Sequence, residues 1–255
     1  MYPSFSIIVP SFNQPDYIEN TLMNLKKLKQ TAGAEGVKIE VLLFDSCSNT
    51  QTQELIKKYK EILDYFEIEK DSGQYDAINK GILKCNGDYW TWLNTDDLIE
   101  IDGFLKLADM LSKNNSIDYI YGGVKYIDGN GKYLKQVNAY EITFQNLISK
   151  DPAIFQPGSF FRKKFTDNIG VLAPYSCCFD YEYILRLLKN NAKVVMCDFP
   201  VSCFRYYSDS KTGSKTVQFI KEQLVISKQY GRKWYHYLTG FSQLRLIKHF
   251  LFPRK

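Results

Sequence analysis

The stretch DYWTWLNTDDLIE, Asp88 to Glu100, begins as a strand and ends in two carboxylates. Tyr89, Trp90, Thr91, Trp92 and Leu93 are the aromatic, branched and apolar side chains that suit a pleated backbone. Asn94, Thr95, Asp96 and Asp97 end that run at once. Two adjacent like charges repel unless water or a cation neutralises them. One reading is a polar turn that caps the next helix. The other is a divalent cation holding a phosphate at the carboxyl end of a sheet strand.

The flanking sequence repeats the pattern. FSIIVPSFN, Phe5 to Asn13, is a short, nearly continuous apolar run that breaks at Pro10, as expected of a strand covered on both faces. Ile18, Leu22, Leu25 and Leu28 then predict a helix over Asp16 to Lys29. A second strand follows over Lys38 to Phe44, ending at Asp45, with a helix over Thr52 to Tyr65. FEIEKD is a short third strand, Asp76 to Cys85 a helix, and Asn86-Gly87 a turn. Alternation of this kind predicts an α/β fold with a mostly parallel sheet and helices on both faces. Ligands of such sheets sit outside the carboxyl ends of the strands. Three such ends carry polar groups here: Pro10 to Asn13, Asp45-Ser46, and Asn94 to Asp97. Further on, IDYIYGGVKYIDGNGKYLKQV reads as a hairpin turning at Asp128 to Gly131. Asp180 and Glu182 open a helix that buries Ile184, Leu185, Leu187 and Leu188, and a strand follows over Ala192 to Cys197.

The 255 residues are enough for one large domain with an extension. With 45% hydrophobic and 24% charged residues, the chain belongs with ordinary folded proteins. A net charge of +5 suits an anionic ligand or an anionic membrane surface and does not by itself imply nucleic acid. Cys47, Cys85, Cys177, Cys178, Cys197 and Cys203 form no C-x-x-C pair, and only two histidines exist, which argues against zinc. Their scatter is expected of reduced thiols in a cytoplasmic protein. The first residues read as a strand rather than a signal peptide. No apolar stretch of about 18 residues, the length needed to span a membrane, occurs.

Several segments, in order, resemble family 2 glycosyltransferases, the inverting enzymes with a GT-A, Rossmann-like nucleotide-binding fold. They are SIIVPSFNQPDYIENTL, EVLLFDSCSNTQT, DSGQYDAINKGILKCNGDYWTWLNTDD, QPGSFFRKKF and FDYEYILRL, and the resemblance covers roughly Ser4 to Thr212. It implies transfer of a sugar from a nucleotide-diphosphate sugar, most often a UDP-sugar, to a saccharide hydroxyl. It also implies a divalent metal, Mn²⁺ or Mg²⁺. By the same resemblance Asp45 meets the nucleotide base, Pro10, Ser11 and Phe12 line base and ribose, and Gly73, Gln74, Asp76 and Lys80 close on the nucleotide. Asn94 and Thr95 belong to the donor loop, Asp96 and Asp97 to the metal, and Asp180 is the general base. The chemistry agrees: a hard cation neutralises the departing UDP, and a separate carboxylate takes the acceptor proton.

The chain departs from the family pattern in places. Asn94 stands at the first acidic position of D-x-D, and Ser46 replaces a second Asp. Glu182 is the rival base. Tyr207 lies about where many members carry a histidine; Arg205 and Lys211 read as surface side chains that could lend charge to a diphosphate. Cys177-Cys178 reads as structural. A non-catalytic nucleotide-sugar binder remains open, as does a sugar nucleotidyltransferase, although PSFNQPDY lacks the latter's Gly-rich basic loop.

The expected division is a catalytic domain over 1–215 and a helical extension over 216–255. The extension is basic, with Trp234, Tyr235, Tyr237, Phe241, Phe250 and Phe252 interspersed. Such a helix lies on an anionic membrane or packs on the catalytic domain with its basic face in water. The first case fits a lipid-linked acceptor in bacterial surface polysaccharide synthesis (capsule, O-antigen or exopolysaccharide), with the protein peripheral at the inner face of the cell membrane. Nothing else supports a nucleic-acid partner.

Overall fold

The fold comes from a computed structural model, which describes residues 1–149, 156–207 and 216–233. Strand β1 (Phe5–Ser11) lies between β2 (Ile39–Asp45) and β4 (Tyr89–Trp92), parallel to both, and β3 (Tyr65–Ile68) adds to β2 in parallel. Beyond β4 the sheet becomes mixed. β8 (Ser159–Arg162) is antiparallel to β4 and to β6 (Tyr119–Ile127). β6 then pairs in parallel with β9 (Val194–Arg205), and β5 (Leu98–Ile99) closes the edge. The order is β3-β2-β1-β4-β8-β6-β9-β5, with β7 (Tyr133–Val137) hanging on β6. The result is the α/β architecture expected, with its parallel half at the N-terminal strands.

Helices cover both faces, and the strand period of two sorts the side chains between them. Phe5, Ile7 and Val9 enter a core with Leu22, Leu25 and Leu28 of α1 (Ile18–Ala34) and Phe104, Leu107 and Leu111 of α4 (Ile101–Lys113). Ile8 joins the opposite core with Ala77, Ile78 and Ile82 of α3 (Gln74–Lys84) and Tyr183, Ile184 and Leu187 of α7 (Phe179–Lys189). Trp90 and Trp92 lie in that second core, where Phe161 stacks on Trp92 (centroids 5.7 Å apart) and on Tyr119 (5.1 Å). This ladder of rings ties β4, β8 and β6 together, at about 0.5–1.5 kcal/mol per pair beyond burial. Part of the unusual aromatic content is therefore sheet glue.

Some boundaries differ from the sequence expectation. Helix α2 (Thr50–Lys58) stops early, and a 3₁₀ turn covers Lys60–Ile62. The Asp64 carboxylate accepts from the Val41 amide and from Lys29, pinning the chain where β3 begins. β9 runs on through Pro200, because a register irregularity against β6 sits at the Gly123↔Pro200 pair. The hairpin turn is as expected: Asp128 Oδ1 accepts from the Asn130 and Lys132 amides, and Gly131 takes a positive φ of 84°.

Short helices α5 (Phe144–Ser149) and α6 (Lys163–Thr166) flank β8, and α8 (Thr216–Gln229) packs Phe219, Ile226 and the following Tyr230 against the second core. Among the described residues no helix is long and apolar enough to cross a membrane. Trp234 and the later aromatic residues of the extension lie outside the described residues.

Candidate active site

Three strand ends meet at one edge because β1, β2 and β4 are parallel and in register, with Ser11 opposite Asp45 and Ile8 opposite Trp92. At the first, Asp45 is buried and its carboxylate accepts from Ser11 Oγ (2.8 Å), Ser48 Oγ (2.5 Å) and the Ser48 amide (2.8 Å). Asn13, at φ 49°, laces the same two loops through the Ser48 hydroxyl and the Asn49 amide. Pro10 is buried within β1, whereas Phe12 is 60% exposed at the mouth of the edge.

Beside the β1 and β2 ends, after β3, is the entry to α3. Gly73 adopts φ 126°, a conformation that favours glycine. Asp71 accepts from the Gly73 amide, and Asp76 from the Ser72 amide. Gln74 donates from Nε2 to Asn94 Oδ1 at 2.6 Å, joining the helix start to the acidic loop. Lys80 faces β3 instead, paired with Glu67 (2.8 Å) and Glu69 (3.1 Å), and these carboxylates raise it above its ordinary value.

The third end is Asn94 to Asp97, where the structure treats the two carboxylates differently. Asp97 is 1% exposed and accepts from Asn94 Nδ2 (3.1 Å) and the Arg205 amide (3.0 Å). Burial and the neighbouring Asp96 charge push its carboxyl well above the usual range. Asp96 remains partly exposed, with Oδ2 receiving the Tyr207 hydroxyl at 2.9 Å. The loop backbone is held from below: Thr21 Oγ1 donates to the Thr95 and Asp97 carbonyls, both at 2.9 Å.

Arg205 is a correction to the sequence reading. It is not a surface side chain but is 1% exposed. Its Nε donates to the Asp96 carbonyl (2.9 Å), and one terminal nitrogen donates to the carbonyls of Asp128 (3.1 Å) and Gly129 (3.0 Å). The guanidinium also covers the Tyr17 ring at 5.0 Å, against which Tyr207 packs. Thr21, Tyr17 and the Asp128 turn carried no sequence signal of this role, since their partners are remote in the chain. Lys211 lies outside the described residues.

Facing this edge is the start of α7. Phe179 packs on Trp92 (centroids 6.0 Å apart), two residues before Asn94, and Asp180 follows it. Asp180 is partly exposed; its Oδ1 accepts from the Tyr181 amide at 2.7 Å, and burial pushes its carboxyl up to about 6. Among the described residues Asp180 forms no ion pair. Glu182, by contrast, is buried between Arg186 (2.6 and 3.1 Å) and the Tyr230 hydroxyl (2.6 Å).

The donor set can be tested against a divalent cation. Among the described residues no cluster of three or more His, Cys, Asp or Glu side chains exists. Asp96 is the accessible carboxylate, Asp97 is turned inward, and the Asn94 oxygen is engaged by Gln74. One or two carboxylates with substrate phosphates are the usual holders of Mg²⁺-type ions, so the residues fit an ion that arrives with a diphosphate.

An α/β sheet of this kind takes its ligands outside the carboxyl ends of its parallel strands, where Asp96 is the accessible carboxylate. The comparisons name the class. Residues 6–179 match the family described as Glycosyl transferase family 2, and the chain belongs to that family. An uncharacterized glycosyltransferase of Rickettsia bellii is 30% identical over 139 residues, which is 53% of this chain and 19% of that protein. The chain therefore spans about a fifth of that relative's length. Among solved structures, S. aureus TarS 1-349 in complex with UDP-GlcNAc aligns with a TM-score of 0.67 at 19% identity, covering 98% of this chain and 73% of that one. The mannosyltransferase PcManGT from Pyrobaculum calidifontis, in complex with GDP-Man and Mn²⁺, aligns with a TM-score of 0.66 at 13% identity, covering 100% and 77%. At these identities the structures establish the GT-A fold.

Arg205→Lys is the test of the clamp. Lysine lacks the planar fork that reaches Asp96, Asp128 and Gly129 together. The variant is expected to lose about 2–3 kcal/mol in denaturant unfolding, from two or three missing hydrogen bonds to partly buried carbonyls. An unchanged midpoint would show that the clamp is not needed.

Proposed function

We propose that the chain transfers a sugar, with inversion, from a nucleotide-diphosphate sugar, a UDP-sugar in the first instance, to a saccharide hydroxyl. The observation that supports this reading is an accessible Asp96 just beyond β4, with Asp180 in the first turn of a helix whose Phe179 packs on Trp92 of that strand. Asp96 is partly exposed, and burial pushes the Asp180 carboxyl up to about 6 with no ion pair on it among the described residues. Asp180 would take the proton of the acceptor hydroxyl as that oxygen bonds to the anomeric carbon. The bond from that carbon to the diphosphate breaks at the same time, and the nucleotide diphosphate leaves from the opposite face.

The remaining residues bind and orient. Ser11, Asp45 and Ser48 form a preformed polar floor between β1 and β2 for the base, with Phe12 at its rim and Pro10 beneath. Gly73 and Gln74 set the start of α3 against Asn94, so the amides of that first turn can face a phosphate. Asp76 shapes that entry through the Ser72 amide, and Lys80 acts through β3 rather than by touching the donor. Asp97 and Thr95 fix the loop from inside. Mn²⁺ or Mg²⁺, held by Asp96 together with the diphosphate, would supply positive charge against the departing nucleotide. The Mn²⁺ in the Pyrobaculum complex supports that assignment by likeness of fold.

The acceptor in this reading is lipid-linked, within surface polysaccharide assembly, and the basic aromatic residues after Lys233 rest on an anionic membrane. Flotation with vesicles containing anionic lipid is expected to carry the full chain upward, and less so at high salt. Protein that stays at the bottom would refute the membrane part.

The direct test is nucleotide release from UDP-, GDP- and dTDP-sugars with Mn²⁺ or with EDTA, for wild type and Asp180→Asn. Metal-dependent release from one donor is expected, falling about 10²–10⁴-fold in the variant while nucleotide binding persists. A base raised to about 6 must be ionised to work, so activity is expected to rise as pH passes upward through about 6 and then level off. Release that is insensitive to Asp180→Asn would contradict the assignment, and absence of nucleotide binding by calorimetry would contradict the transferase reading altogether.

A further inference from the structure

Helix α8 follows the family-matched segment in sequence, yet one of its side chains is built into the loop that leads into α7 and Asp180. Glu222, 9% exposed, reaches the N-terminus of α7. Its Oε2 accepts from the amides of Cys177 (2.9 Å) and Cys178 (3.0 Å). Its Oε1 accepts from the Ser176 amide (3.1 Å), the Ser176 hydroxyl (2.7 Å) and Gln218 Nε2 (2.8 Å). The capping position of α7 is Cys178, whose side chain makes no capping hydrogen bond. A carboxylate at the positive end of a helix is stabilising, and here it is supplied from a distant element.

Neutral side chains would serve for capping alone. Burial pushes the Glu222 carboxyl up, but hydrogen bonds from Gln218, Ser176 and Cys177 outweigh it and hold the carboxyl below its ordinary value. Glu222 is therefore a fixed negative charge two residues from the turn that presents Asp180. The other titratable groups that act with Asp180 are Tyr119 of β6 and Cys178, and burial raises both, which keeps them neutral. The Glu222 charge adds to the burial that raises the Asp180 carboxyl.

We propose that Glu222 is a positioning residue for the general base: it anchors Ser176 to Cys178, and so the first turn of α7, which makes α8 part of the catalytic centre. This rests on the reading of Asp180 as the base. It also gives the extension a task in the chemistry besides any contact with a membrane. Glu222 touches neither donor nor acceptor in this account, and its effect passes entirely through Asp180.

The test is a ¹³C NMR titration of aspartate-labelled protein, with the Asp180 signal assigned by its loss in Asp180→Asn, alongside kcat, KM and UDP binding. In wild type Asp180 is expected to titrate near 6. In Glu222→Gln, the Asp180 titration and the acid limb of kcat both move to lower pH. There kcat falls about ten- to a hundredfold, the scale of a small misplacement of a reacting group, and UDP binding is unchanged. Glu222→Asp keeps the charge but is too short to span the loop. It is expected to leave the Asp180 titration in place and still lose kcat, and it carries the test if Glu222→Gln does not fold. A folded Glu222→Gln with unmoved Asp180 titration and unmoved kcat overturns the proposal. So does full activity in Glu222→Asp. A moved titration in a protein whose Asp180→Asn variant remains fully active would separate the cases: the coupling would stand, and the role of Asp180 as base would fall.

Discussion

Two adjacent carboxylates can occupy one tight loop only if the fold gives them different surroundings, and the division between Asp96 and Asp97 is the constraint on which this site turns. Asp97 is drawn inward by the Asn94 amide and the Arg205 backbone, and Arg205 then clamps the Asp96 carbonyl from the same strand. Asp96 is left facing the edge of the sheet, with the Tyr207 hydroxyl on one oxygen. Burial and the Asp96 charge both disfavour an ionised Asp97, so the loop does not have to carry two full negative charges. The aromatic run from Tyr89 to Trp92 meets acid so abruptly for two reasons. The run is a core strand stacked through Phe161, and its end lies where the parallel strands open to a ligand.

The second carboxyl comes from the other half of the molecule. α7 is seated by Phe179 on Trp92 and by the Glu222 carboxylate across its first amides. Asp180, the proposed base, and Asp96, the proposed metal-facing carboxylate, are thus carried by separate elements that share the packing of β4. The proposed inversion would use such a division, since the proton acceptor and the leaving diphosphate would lie on opposite sides of the reacting carbon.

Much of this was legible in the sequence where the information is local. Phe5 to Asn13 and Lys38 to Asp45 read as strands because short apolar runs end in polar residues, and Asp180 reads as an early helical residue because Ile184, Leu185, Leu187 and Leu188 follow it. What was not legible is the choice of partner across the fold. Nothing near Arg205 in the chain announces that it will be buried against Asp96 and the Asp128 turn, so it read as a surface cation. Lys80 read as a nucleotide contact, and in the structure it pairs with Glu67 of β3 and with Glu69 just beyond it. The strand read as Ala192 to Cys197, and the bulged pairing of Gly123 with Pro200 accounts for β9 continuing to Arg205. Helix α8 read as the start of an extension that lies on a membrane or packs on the catalytic domain, and Glu222 ties it to residues 44 to 46 positions earlier.

The central proposal is that Asp96 is the carboxylate that would hold a metal-bound diphosphate. The most direct measurement is calorimetric titration of UDP, with Mn²⁺ and with EDTA, into wild type and Asp96→Asn. The account predicts UDP binding that depends on Mn²⁺ in wild type and is lost or weakened at least about tenfold in Asp96→Asn, one charged ligand being worth more than about 1.4 kcal/mol. Equal UDP affinity in the two proteins, with or without metal, would contradict it.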